Sequence, residues 1–124
     1  MINYNDSEVG VYHPICENAL NKTLRLLGQE RNYRVLHHRY TGSLEMDFVI
    51  ENITTHKYLC VIEVKRTPAA VNSTRYQFQA MSYVQSNVGL TEKPYYILTN
   101  LERAILFRYD NALINRCSSQ VFRL

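Results

Sequence analysis

The chain has 124 residues with a formal net charge of +3, and 46% of it is apolar and 20% charged, which suits one domain around one core. No apolar run is long enough to cross a bilayer, the polar start MINYNDSEVG lacks a signal-peptide core, and Cys16, Cys60 and Cys117 are too few and too scattered for a disulfide framework or a zinc site. A reducing, cytoplasmic setting is therefore expected, and the charge is compatible with a nucleic-acid partner without demanding one.

Pro14 suits a first helical turn and Gly28 a stop, so a helix is expected between them. Glu17, Leu20, Leu24 and Leu27 fall on one stripe of that helix. Two readings of Glu17 stand open. It is carried toward the core side with the leucines, or it is a solvated acid of the first turn that complements the helix dipole. RNYRVLHHRY then reads as a strand, broken by Gly42 and Ser43.

The next stretch, LEMDFVIENITTHKYLCVIEVKR, reads as two strands joined by the polar segment 52–57. A hairpin centred on Thr55 sets Asp47 opposite Glu63, and facing residues share one side of the sheet. One side then carries Met46, Phe48, Ile50, Cys60, Ile62 and Val64, all apolar. The other carries Glu45, Asp47, Val49, Glu51, Leu59, Val61, Glu63 and Lys65. A one-residue slip would put polar groups into the clean apolar face, so the pattern specifies the register. Two adjacent carboxylates repel unless a proton or cation separates them. Mg²⁺ suits so small a carboxylate set, because it keeps several waters and uses phosphate oxygens as further ligands.

A second helix is expected over residues 70–88, capped by Asn72 or Ser73 and ended by Gly89. Val71, Phe78, Met81 and Val88 form its apolar stripe. Gln79 and Tyr83, four apart, are neighbours on another face. Two further strands follow, at Tyr96 to Thr99 and Ala104 to Tyr109, around a turn at Asn100 and Leu101. Residues 111–124 offer no pattern that assigns an element. Most of the ten tyrosines lie in strand-like stretches, where aromatics serve packing.

Asp47, then fifteen residues, then Glu63-Val64-Lys65 resembles the signature of the PD-(D/E)XK nuclease superfamily, with Met46 where the family's leading Pro stands. Gln79-Ala-Met-Ser-Tyr83 looks like the QxxxY motif of the branch that includes exonuclease-type and type I restriction nuclease domains. The resemblance covers roughly residues 12–110. It implies a mixed central β-sheet flanked by helices, in the order α-β-β-β-α-β-β. It implies a Mg²⁺-dependent DNA endonuclease, with Mn²⁺ as a substitute, forming a single nuclease domain over residues 1–124 at the head of a longer polypeptide. The catalytic residues would be Asp47, Glu63, Lys65, Gln79 and Tyr83. The metal would be held by Asp47, Glu63, the Val64 carbonyl and Glu17. DNA would be the partner, with other domains or subunits supplying specificity and translocation.

Arg66 and Arg75 flank the ExK strand and the second helix, as phosphate contacts or as solvated cations. His37 and His38 adjoin on a strand and should alternate sides, so they are not expected to face one metal. His13 and His56, at a helix start and a hairpin turn, are read as chemically silent, and Cys60 as core. Two rival readings remain: a Holliday-junction resolvase-like nuclease, which is a dimer and generally lacks QxxxY, and a non-catalytic DNA-binding module, which would be indifferent to Mg²⁺.

Overall fold

A computed structural model describes residues 8–41, 44–71, 75–76, 79, 91–110 and 113–121. The chain enters through a π-helical turn, Glu8–Tyr12, that runs directly into α1 (His13–Leu26) with Pro14 in its first turn. At the far end Gly28 adopts a φ of 65°. Its amide donates to the Arg25 carbonyl at 3.0 Å, and the Gln29 amide donates to the Leu24 carbonyl at 2.8 Å. These two bonds are the Schellman closure, which needs a left-handed residue and so favours the glycine found there. The buried stripe of α1 is His13, Cys16 and Leu24, with Leu20 partly buried beside it. The expected stripe is thus rotated. Leu27 is 66% exposed, because the helix ends before it and the cap turns it outward. Glu17 borders the buried stripe and is half-buried.

Next come β1 (Tyr33–Thr41), β2 (Leu44–Asn52), β3 (Tyr58–Val64), α2 (Pro68–Val71), β4 (Thr91–Thr99), β5 (Arg103–Asp110) and β6 (Leu113–Val121). The strands form one six-stranded sheet in sequence order. Every neighbouring pair is antiparallel except β3 and β4, which are parallel. A parallel pair cannot be joined by a tight turn, so the chain crosses between them through the α2 region. The expected mixed sheet with helices is the architecture found, with one strand more. β6 comes from the tail that carried no pattern: LINRCSSQV mixes polar and apolar residues, as suits a strand that, among the described residues, pairs only with β5. Residues 75, 76 and 79 are helical like α2. The rest of the expected second helix, with Asn72, Ser73, Phe78, Met81, Tyr83, Val88 and Gly89, lies outside the described residues. Among the described residues no helix is long and apolar enough to cross a membrane.

The sheet separates two apolar cores. On one face Phe48, Cys60, Ile62 and Val64 pack with Tyr12 and Cys16 and with Leu101, which seats α1. On the other, Val49, Val61, Tyr96, Leu98, Ile105 and Phe107 pack with Val71 of α2 and with Met46. Each such fully buried side chain contributes about 1.5–3 kcal/mol, so both helices are anchored to opposite faces. The β2–β3 register has the expected pairs, Phe48 with Ile62, Val49 with Val61 and Ile50 with Cys60, and shifts only at Glu51. One assignment fails. Met46 was expected beside Phe48 and instead packs on the Val49 face. Two-residue alternation holds only while the backbone stays regular, and it breaks at Asp47.

Candidate active site

That break is where the chemistry-bearing residues meet. The β2–β3 ladder ends at the Phe48–Ile62 pair. One step further, side chains take the place of ladder carbonyls. The Asp47 amide donates to Glu63 Oε1 at 3.2 Å, and the Val64 amide donates to Asp47 Oδ2 at 2.8 Å. The two carboxylates thereby close the gap between the strand ends, and Glu63 is 2% exposed. The run Tyr58–Val64 is apolar apart from this glutamate and is buried over its last five residues. Burial of the strand drags Glu63 inside with it.

Lys65 follows β3 directly. Its amide donates to the Thr99 carbonyl at 2.8 Å, which prolongs the parallel pairing with β4. Its ammonium lies 4.0 Å from Glu63 Oε2 and 4.3 Å from the centre of the Tyr76 ring. The ring face attracts the cation and holds it at the edge of the carboxylates. Thr99 itself is fixed by the turn that follows. Its hydroxyl donates to the Arg103 carbonyl at 2.7 Å and accepts from the Leu101 amide at 2.9 Å, while Asn100 Oδ1 accepts from the Glu102 and Arg103 amides.

Burial, the Asp47 charge and a hydrogen bond to Asp47 push Glu63 up to about 9, against a smaller opposing pull from Lys65. Burial also pushes Asp47 up, but His13, the Val64 amide and Glu63 outweigh it and hold the carboxyl below its ordinary range. The Val64 amide is the firmest of these contacts, since His13 Nε2 stands 3.6 Å from Asp47 Oδ2, beyond a good hydrogen bond. At neutral pH the pair therefore shares one proton and carries one charge. Like charges this close separate only through a proton or a cation. An anionic corner of carboxylate oxygens beside an ammonium fits a hard divalent cation.

The remaining candidates are placed as follows. The charge of Glu17 is felt at Cys16 and His37, the same two groups that feel Asp47, so this carboxylate lies within electrostatic range of the site. Arg66 is exposed, and its carbonyl accepts from the Tyr12 hydroxyl at 3.2 Å. Arg75 is exposed on the helix beside the Tyr76 ring, 5.9 Å from its centre. Gln79 is half-buried, and its Oε1 is buried without a hydrogen-bond partner among the described residues. Tyr83 lies outside the described residues.

Two residues at the site were not singled out from the sequence. Tyr76 stands three before Gln79, so helical spacing places them on neighbouring faces and is a signal that was available. His13 was read as a silent helix start. Its ring is 3% exposed and faces Asp47, and only the docking of α1 on the sheet reveals that. The assignment of His37 and His38 to opposite sides is also corrected. Their ring centres are 3.8 Å apart, because His38 has a φ of 55° and a left-handed residue interrupts strand alternation.

The profile of the BpuSI N-terminal domain family matches residues 2–123. Among solved structures, the type IIG restriction endonuclease BpuSI superposes with a TM-score of 0.87 at 51% sequence identity. The match covers 90% of this chain and 13% of that one, so the chain spans only a small part of that enzyme's length. No curated protein matched the sequence.

Proposed function

The chain belongs to the BpuSI N-terminal domain family, and on that footing we propose that it is the Mg²⁺-dependent nuclease module of a restriction enzyme, a cytoplasmic PD-(D/E)XK phosphodiesterase acting on DNA. The observation that carries this reading is the buried Glu63 and half-buried Asp47 joined across the β2–β3 end, with the Lys65 ammonium 4.0 Å from Glu63. Asp47, Glu63, the Val64 carbonyl and Glu17 would hold the cation. Bound there, Mg²⁺ or Mn²⁺ supplies Lewis-acid charge to a phosphate and lowers the pKa of water.

The chain's own groups do the rest. Asp47 and Glu63 would hold the cation and would give up their shared proton on binding it. Lys65, pinned over Tyr76, orients the attacking water or offsets the charge growing on the phosphoryl oxygens. Arg66 and Arg75, both exposed, would meet backbone phosphates, which position DNA without reading its sequence. Gln79, with its unpartnered buried oxygen, accepts a hydrogen bond from Lys65 or from a donor brought by the substrate, and Tyr83 completes the QxxxY pair. Sequence recognition and translocation belong to other domains or subunits. Family membership supports this reading over a Holliday-junction resolvase.

The test is incubation of the protein with supercoiled and linear DNA in Mg²⁺, Mn²⁺ or EDTA, beside Lys65→Ala. Cleavage should require the cation and fall at least about 100-fold in the variant, the scale of losing one charge-stabilising group. DNA binding indifferent to divalent ions, with no cleavage in either cation, would overturn the proposal in favour of a non-catalytic binding module.

A further inference from the structure

Beside the carboxylate pair, α1 and β1 bring three imidazoles together. His13 comes from the first turn of α1, and His37 and His38 are consecutive on β1. Consecutive strand residues ordinarily project to opposite faces. Here the β1–β2 pairing runs His37 with Phe48 and then Arg39 with Met46, leaving His38 out of the ladder, and His38 has a φ of 55°. A left-handed conformation costs a non-glycine residue about 1–2 kcal/mol. Such strain persists where the surrounding structure over-determines it, commonly at a functional site. Its effect here is to turn the second imidazole to the side of the first.

The nitrogens that converge are His13 Nδ1, His37 Nε2 and His38 Nε2. The first two are 2.8 Å apart and the first and third 3.4 Å. One ring nitrogen from each residue lies within 4.8 Å of the others. A tetrahedral ion with metal–nitrogen bonds of about 2.0–2.1 Å holds its ligand nitrogens about 3.3 Å apart, which falls between the two measured separations. The rings are inclined to one another by 63° to 88°.

The outer nitrogens supply an independent sign. His38 Nδ1 lies 3.2 Å from Glu45 Oε1, and Glu45 Oε2 accepts from the Tyr40 hydroxyl at 3.0 Å. His13 Nε2 faces Asp47. Histidines that bind metal characteristically donate their other N–H to a carboxylate, which fixes the tautomer and raises ligand basicity. His37 instead stacks on Phe48, with ring centres 4.6 Å apart. Only His13 is deeply buried. The His38 side chain is 36% exposed, so solvent reaches the cluster from that side.

We propose that His13, His37 and His38 form a site for one borderline divalent transition metal ion of the Zn²⁺ class, separate from the Asp47–Glu63 pair. Imidazoles select such ions over Mg²⁺. Metal on His13 Nδ1 leaves the proton on Nε2, aimed at Asp47, so occupancy fixes the tautomer that faces the carboxylates. The site stands whether or not the chain cleaves DNA.

The experiment is titration of the metal-stripped protein with ZnCl₂ by calorimetry, with CoCl₂ as a visible-absorbance probe. It compares the wild type, a His37→Ala/His38→Ala double variant, Glu45→Ala and Glu63→Gln. With excess MgCl₂ present to occupy the carboxylate pair, the wild type should bind one equivalent and give the intense bands of four-coordinate cobalt. The double variant should lose both signals. Glu45→Ala should bind about 10-fold or more weakly, the scale for losing a carboxylate behind a metal-bound histidine. Glu63→Gln should bind as the wild type does. Nitrogen-15 spectra of the wild-type imidazoles, shifting on Zn²⁺ addition, decide the matter should the double variant fail to fold. No stoichiometric binding, binding that survives the double variant, or imidazole signals untouched by Zn²⁺ would each overturn the proposal.

Discussion

Glu63→Gln should stabilise the metal-free protein while removing the proposed nuclease activity. Glu63 is pushed from 4.5 up to about 9, so the folded chain retains a proton at pH 7 that the unfolded chain has released. The folded pKa is the raised one. The contribution of this group to stability is therefore fully present below 4.5 and is lost as pH rises toward about 9. At about 1.4 kcal/mol for each pH unit, the loss at pH 7 is roughly 3 kcal/mol as an upper bound. Asp47 has the opposite sign, but its window lies below its ordinary 3.8 and does not overlap. Glutamine is close to protonated glutamate in shape, accepts from the Asp47 amide and donates back to Asp47, yet binds no proton. The assay is urea unfolding in EDTA from pH 4 to 9, followed by far-UV circular dichroism and by tyrosine fluorescence, since the chain has ten tyrosines and no tryptophan. The variant's advantage should grow with pH and vanish near pH 4. In Mg²⁺ the wild type should recover, by about 2.7 kcal/mol at a concentration 100 times the Kd, and the variant should not. A variant less stable than wild type at pH 7 in EDTA, or an advantage independent of pH, would refute the account of the shared proton.

Three further outcomes are expected. Gly28→Ala should cost about 1 kcal/mol in denaturant unfolding from left-handed strain alone, because a Cβ at that position meets nothing within 4 Å; an unchanged midpoint would contradict the cap. Arg34→Ala should destabilise by about 2 kcal/mol. It strips the Nε and Nη2 contacts of 2.8 and 2.7 Å from Glu51, whose side chain is 8% exposed; the half-exposed arginine argues for less than a fully buried pair would lose. Adding Glu51→Gln should recover part of that loss. Cys16 and Cys60 are pushed up to about 12, Cys60 by burial and Cys16 by burial and then by Asp47 and Glu17, so neither should react with a thiol reagent at pH 8 until denaturant is added.

Much of the fold was legible because it is local. Pro14 and Gly28 bracket a helix through backbone chemistry that acts within one turn. The alternation in FVI and CVI, with the polar turn between, specified the β2–β3 register and brought Asp47 and Glu63 to one strand end. β6 was not legible, since LINRCSSQV mixes polar and apolar residues and leaves no clean periodic mark. Nor was the offset of the α1 stripe, which depends on where the cap turns Leu27 outward.

The site divides in the same way. The sequence determined that two carboxylates and an ammonium share one strand end, because strand geometry repeats every two residues and needs no knowledge of distant segments. The tertiary structure alone decided three things: that the ladder stops at Phe48 and lets the carboxylates accept the free amides, that His13 arrives from α1 to face Asp47, and that His38 leaves the ladder to join His37. Each of these is a departure from periodicity, stabilised by contacts between segments far apart in the chain, and a pattern read from spacing assumes that no such departure occurs.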